Sequence, residues 1–157
     1  MAVSITLLEK IKATLEMKAA AGGTLEIVKW VDYGSILPPL SSTYFPLIFL
    51  TIESSVHPIR RATRNQVYSY TNDYKIYINI IAYILKSSYE GYKAAFREVC
   101  NLVKPVITIC HENKEWGDLA YTSEVAEEED IEWGVTEYGD DIVYSVSIPI
   151  ICRDIQS

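Results

Sequence analysis

The chain has 157 residues, 49% of them hydrophobic and 22% charged, the balance of a globular protein with one core. By surface-to-volume scaling a chain of this length buries roughly two-thirds of the surface its unfolded form exposes, and a second core is not expected. A net charge of −7 argues against holding nucleic acid by its phosphates, since that takes many Lys and Arg contacts.

The charge is uneven. Between His111 and Asp141 twelve carboxylates stand against Lys114 alone, a local charge of −11 that leaves the rest of the chain at +4. Twelve tyrosines supply rings that pack on one side and stay wet at the hydroxyl, a composition suited to surfaces that meet partners. Cys100, Cys110 and Cys152 are odd in number and share no C-x-x-C spacing. They read as small buried hydrophobes rather than as a disulfide framework or a zinc site. The opening MAVSITLLEKIKATLEMK spreads acids and lysines along its length, and no run nears the roughly 18 apolar residues of a membrane span. A protein made and kept in a reducing cytoplasm, with no membrane partner, is the expectation.

In chain order, Ile5, Leu8, Ile11 (or Lys12) and Leu15 recur at helical spacing, Thr6 and Glu9 fit a capping box, and Gly22-Gly23 ends the first helix. TLEIVKWV, residues 24–31, alternates like a strand, and the Gly, Pro and Ser content of residues 32–46 predicts a loop. LIFLTIE, residues 47–53, is a short continuous apolar run, as in a central strand covered on two faces. SSVHPIRRATRNQ then reads as a polar loop, followed by a hairpin whose arms, 66–71 and 74–85, are split by Asn72-Asp73. In the longer arm Ile76, Ile78, Ile80, Ala82 and Ile84 share one face and Tyr77, Ile81, Tyr83 and Leu85 the other, so both faces of this strand need cover.

A second helix opens at SSYEGYKAAFREVCNLVK, with Ser87 and Glu90 as capping box, Tyr89, Tyr92, Phe96, Val99 and Val103 as apolar stripe and Pro105 as its stop. An apolar run at 106–110, the acidic region and an alternating strand, DIVYSVSIPIICRD, complete the chain. Ile142, Tyr144, Val146, Ile148 and Ile150 line one face of that strand, and Pro149 predicts an edge position or a bulge. The expected fold is a single α+β domain over residues 1–157: a mostly antiparallel sheet of about four to five strands with two main helices packed on one face.

No catalytic constellation stands out. Cys110-His111 invites a thiolate-imidazole pair, but neighbours on a strand point to opposite faces. His57 has no second histidine at ligand spacing. Glu127, Glu128, Glu129 and Asp130, with Asp140 and Asp141, could gather a hard cation, yet they lack the order of a calcium loop and read first as a solvated face. His57, Arg60, Arg61 and Arg64 are the basic concentration of the chain, and an arginine-rich loop meeting carboxylates of a neighbouring copy fits them better than nucleic acid does. A chain with one acidic segment and one basic loop can dock head to tail, and such contacts close into rings.

In layout the chain resembles the small tail terminator and neck (head-tail joining) proteins of long-tailed bacteriophages. The resemblance rests on the N-terminal helix, FPLIFLTIE after a Pro-rich loop, the arginine-bearing loop, the arm YKIYINIIAYIL, the helix SSYEGYKAAFREVCNLVK and the closing IVYSVSIPIIC. It implies a non-enzymatic virion protein without cofactor or metal, assembled in the host cytoplasm into a homo-oligomeric ring, commonly hexameric. Such a ring caps the tail tube, meets the tail tube protein and a head connector or neck protein, and lets DNA pass without specific binding. On this reading Tyr77, Ile81, Tyr83, Leu85, Arg60, Arg61 and Arg64 form the subunit interface, and Glu127, Glu128, Glu129, Asp130, Asp140 and Asp141 an acidic lumen or solvated face. The rival expectation is a small-ligand or enzymatic α+β domain using Cys110, His111 or the acidic cluster. A protein-binding adaptor without self-association is a third.

Overall fold

The computed structural model describes residues 2–34, 41–59, 69–85, 88–117, 122–125 and 130–156. Two helices, α1 (Ala2–Ala19) and α2 (Tyr89–Glu112), and six strands, β1 (Trp30–Tyr33), β2 (Leu47–Ile59), β3 (Ser69–Tyr83), β4 (Thr122–Val125), β5 (Glu132–Tyr138) and β6 (Asp141–Gln156), make an α+β fold. The sheet runs β1-β2-β3-β6-β4, with β5 also paired to β6. All pairs are antiparallel except β1 with β2. The sheet thus has more strands than expected, because the short pieces β1, β4 and β5 pair along its margins.

One face of the sheet carries the main core. Ile48 and Leu50 of β2, Ile76, Ile78, Ile80 and Ala82 of β3 with Ile84 just beyond it, and Val146, Ile148 and Ile150 of β6 are buried together with Leu7, Ile11 and Leu15 of α1 and Val99, Leu102 and Val106 of α2. The isoleucine face of the 74–85 arm therefore packs on the helices as its alternation predicts. Each such fully buried side chain contributes about 1.5–3 kcal/mol relative to exposure.

The boundaries differ from the sequence reading in instructive places. Helix α1 begins at Ala2, so Thr6 lies inside it and not at its N-cap. It ends at Ala19, ahead of the glycine pair, and Gly23 then lies so close to the Lys18 carbonyl that a Cβ there would overlap it. Residues 24–31 are not one strand: Leu25 donates to the Lys18 carbonyl and Val28 to that of Leu25, so a turn consumes these donors and the strand starts only at Trp30. Their burial follows a spacing of three, with Leu25, Val28 and Val31 inside and Ile27 exposed. The predicted 32–46 loop accordingly begins two residues late, since Asp32 and Tyr33 belong to β1.

The predicted Asn72-Asp73 turn is a stretch of strand. Asn72 pairs with Val56 and Asp154, and Asp73 with Ser55 and Arg153. Ladder partners on both sides outweigh the weak strand preference of Asn and Asp. With β3 as a ladder partner on one side, β2 does not stop at Glu53 but continues to Ile59 through half of the predicted polar loop. The hairpin is thus β2 with β3, and the rest of that loop, like Ser87, lies outside the described residues.

Helix α2 is capped one residue later than expected, by Ser88, whose hydroxyl accepts the Gly91 N–H at 3.0 Å. Pro105 sits inside the helix rather than ending it. A proline removes the bond to the carbonyl four residues back, here that of exposed Asn101, where water can satisfy it. Residues 106–110 are consequently helical and not a further strand. The buried stripe is Ala95, Val99, Leu102, Val106 and Ile109, one column away from the predicted one, which leaves Tyr89, Tyr92 and Phe96 exposed. Ala95 is the small residue that brings this face down on the sheet.

Pro149 is neither in an edge strand nor at a bulge: β6 lies between β3 and the pieces β4 and β5, and Pro149 pairs in register with Tyr77. On the other side, however, β5 pairs with Asp141 to Ser147 and β4 with Ile150 to Arg153. Ile148 and Pro149 fall in the gap between them.

Candidate assembly surface

The second face of the sheet has no helix over it among the described residues. At one end Phe45, Leu47, Phe49 and Val143 are buried as a separate small cluster, with Trp30, Ile81, Tyr83 and Tyr138 half-buried against it. Phe45 follows the 3₁₀ turn Ser42–Tyr44 and is joined by a cis peptide bond to Pro46, the residue before β2. Its ring lies 5.7 Å from that of Tyr83 and 5.8 Å from that of Tyr138, and Trp30 lies 5.9 Å from Phe49 and 5.8 Å from Tyr44. The alternation of apolar residues on both faces of LIFL is what builds this cluster, Leu47 and Phe49 on one side and Ile48 and Leu50 on the other.

The middle of this face is polar and self-satisfied. Asn79 donates to the Phe49 carbonyl at 2.9 Å and to the Thr51 hydroxyl at 3.2 Å, and Ser147 donates to the Asn79 carbonyl oxygen at 2.6 Å. Three strands are thereby tied by side chains across the sheet. Beyond it Lys75 Nζ stands 5.4 Å from the centre of the Tyr77 ring, and its pKa is raised first by that tyrosine.

Of the residues expected at an interface, Ile81 and Tyr83 share the aromatic cluster and Tyr77 stands farther along the same face. Leu85 lies past the end of β3, 57% exposed. Arg60, Arg61 and Arg64 lie outside the described residues, as do Glu127, Glu128 and Glu129. Asp130 and Asp140 are exposed. Asp141 is half-buried and accepts the Tyr83 hydroxyl, a bond that holds the Tyr83 pKa above its ordinary value. Phe45, Trp30 and Tyr138 were not legible as members of this surface, because each reaches it from a separate element.

A second feature had no signal in the sequence. β1 pairs only with Leu47 to Leu50, so among the described strands the outer edge of β2 from Thr51 to Ile59 is unpaired. Gly34 donates to the Leu50 carbonyl at 3.1 Å, which fixes the backbone polar groups of Leu50 outward. By strand alternation those of Ile52, Ser54 and Val56 also point outward. Pro58, next in that series, has no N–H to present there, a common guard on an edge. From buried Tyr74 of β3 and Cys152 of β6 the ends of β2, β3 and β6 stay paired over a further length of about 20 Å.

The residues weighed for chemistry are separated by the fold. Cys110 and His111 are on α2, the thiol buried in the core and the imidazole exposed. Burial, and then the neighbouring Cys152, pushes the Cys110 thiol up to about 12, and burial pushes Cys152 to about 12 as well. Neither is a thiolate near neutrality, and the thiolate is the nucleophile. Among the described residues no group of three His, Cys, Asp or Glu is placed to hold a metal ion, and no helix is long and apolar enough to cross a membrane. The cleft between α1 and α2, about 320 Å³, is lined by Lys18, Lys104, Ile109 and Glu112 among others and converges no acid-base pair.

The buried thiols give a pH dependence. Their folded pKa values lie above the ordinary 9.0, so their contribution to stability is complete below about pH 9 and is lost as pH rises through about 12. At pH 10 the loss is on the order of 1 kcal/mol for each thiol. Urea unfolding midpoints measured under reducing conditions at pH 8 and pH 10 should therefore fall, and Cys110→Ala with Cys152→Ala should flatten the fall; an equal slope in the double variant would refute the assignment.

No protein-family model matches this chain, and no curated protein matches it.

Proposed function

We propose that this chain is a structural assembly protein of long-tailed bacteriophages, a tail terminator or neck protein, whose copies form a ring that caps the tail tube and joins it to the head. The observation that carries the proposal is the combination found on β2: a sheet face with an aromatic cluster and, among the described residues, no covering helix and an outer edge unpaired over Thr51–Ile59. Unpaired strand edges are templates for pairing with another chain, and soluble proteins that act as monomers hide or guard them along most of their length. Here Pro58 guards one position only. A contact joining this edge and face to a different surface on the next copy is heterologous, the kind that closes into rings. The resemblance in sequence layout supports the same class, and the buried, protonated Cys110 thiol weakens the rival reading that uses it as a nucleophile.

The reading is tested by electron microscopy and sedimentation velocity on purified protein, alone and with isolated tail tubes. Rings, either free or seated on tube ends, are expected. A protein that stays monomeric at every concentration and salt and leaves tube ends bare would remove the proposal.

A further inference from the structure

The opposite margin of the sheet carries a different surface. β5 pairs with β6 on one side, and its other side has no partner among the described residues. Its sequence, EWGVTEY, has no proline and no lysine to guard the edge, and its only charges are Glu132 and Glu137. Trp133 and Val135 alternate onto the side facing α2, 44% and 50% exposed. There they meet the exposed column of α2. Phe96 lies 6.3 Å from Trp133, and both Phe96 and Tyr92 stand edge-on to Tyr144, each at 5.5 Å. Tyr89 extends the column by one turn, with Lys93 over its ring at 4.8 Å. Gly91 holds the start of this wall close to the chain behind it, since a Cβ there would overlap the Leu85 carbonyl.

An open strand edge beside a helix lined with aromatic rings is the geometry by which extended peptides are added to a sheet, the backbone supplying affinity and alternate side chains specificity. The charge selects among peptides. Glu124, Asp130, Glu132, Glu137, Asp140 and Asp141 lie on β4 and β5 or at the ends of β5, and no Lys, Arg or His occurs between residues 122 and 141. The free stretch of β2 in a second copy does not complement this, for Thr51 to Ile59 contains Glu53 and no Lys or Arg.

We propose that the β5 edge and the α2 aromatic column form a docking groove for an extended segment of another protein, with apolar residues at alternate positions and Lys or Arg between them. The segment adds as a strand antiparallel or parallel to β5. Its apolar side chains lie over Trp133, Val135 and Phe96, and its cations project to the other face, where Glu132 stands, within the acidic surround of the strand. This inference stands apart from the ring reading and does not need it.

The probe is a fluorescein-labelled seven-residue peptide alternating valine and lysine, VKVKVKV, matched to the length of β5. Fluorescence anisotropy should show saturable binding that weakens with salt and is at least about tenfold tighter than for VEVEVEV. VKVPVKV, which interrupts the strand, should bind at least about tenfold more weakly. Val135→Lys, the guard that natural edges use, should lose binding by a similar factor, while Val135→Ile retains it. Thermal unfolding of both variants reports whether the fold is kept. Equal binding of the basic and acidic peptides, no binding by the unaltered protein, or full binding by a folded Val135→Lys variant would overturn the proposal. So would self-association that Val135→Lys abolishes, which would assign the groove to a second copy.

Discussion

Replacing Trp116 by alanine is expected to cost about 3–5 kcal/mol of stability, the range for removing a large buried aromatic side chain. That is about a fifth or more of the 5–15 kcal/mol total of a typical domain. The indole is 1% exposed and belongs to the main core although it follows the end of α2. Asn113 caps that end, donating its side-chain amide to the Ile109 carbonyl at 2.8 Å, and Trp116 N–H returns to the Asn113 carbonyl at 3.2 Å. The turn then takes positive φ at two successive residues, 47° at Trp116 and 68° at Gly117. For a residue with a side chain that conformation costs on the order of 1–2 kcal/mol, and burial of the ring offsets it. Lys10 of α1 packs against Gly117, where a Cβ would lie 3.1 Å from its side chain. The turn thus ties both helices together.

A second substitution separates the ring from its polar atom. Trp116 Nε1 is buried and has no hydrogen-bond partner among the described residues. Trp116→Phe removes that donor without breaking a protein bond, so its cost should be small beside that of Trp116→Ala, on the order of 1–2 kcal/mol for the lost volume. Urea titration of the three proteins decides it. If Trp116→Ala loses less than about 1 kcal/mol, the ring does not bear the packing assigned to it.

The contrast between Trp116 and the isoleucines of β3 shows what the sequence could reveal. Alternation in Ile76, Ile78, Ile80 and Ala82 predicts the buried face, because strand period and burial are both local properties of that segment. The α+β class follows from two helical patterns around such strands. Trp116, in a polar stretch among Lys114, Glu115 and Gly117, has no periodicity to mark it. Errors of boundary have a common cause. Asn72-Asp73, Pro105 and Pro149 are strong local signals for a turn, a stop and an edge, yet each sits within an element whose neighbours satisfy or spare the backbone. Likewise the largest rings of α2 mark one stripe in the sequence, whereas the sheet selects the column that begins at Ala95. The second face of the sheet is half legible: Ile81 and Tyr83 announce it as apolar, but Trp30, Phe45 and the edge of β2 left free by the described strands depend on which strands pair.

That pairing changes which substitution tests assembly best. Tyr83→Asp looks from sequence like a clean surface disruption, but in the fold Tyr83 donates to Asp141 and packs on Phe45, so a carboxylate there would meet a like charge and unsettle the monomer. Ser54→Pro is the better variant. Ser54 pairs with Tyr74 in the β2–β3 ladder, and by alternation from Leu50 its N–H points to the outer edge, away from β3. Proline there removes a donor available to a neighbouring copy while leaving the internal ladder bonds in place, and edge strands are where sheets accept it. The expected result is a monomer with unaltered circular dichroism, a melting temperature lower by a few degrees at most, and no rings in the electron microscope or on tube ends. Rings of normal size formed by Ser54→Pro would show that the free edge of β2 is not the contact. A variant that forms no rings because it has unfolded is told apart by the spectrum, and Val56→Pro, the next outward-pointing position, repeats the test one pair along the strand.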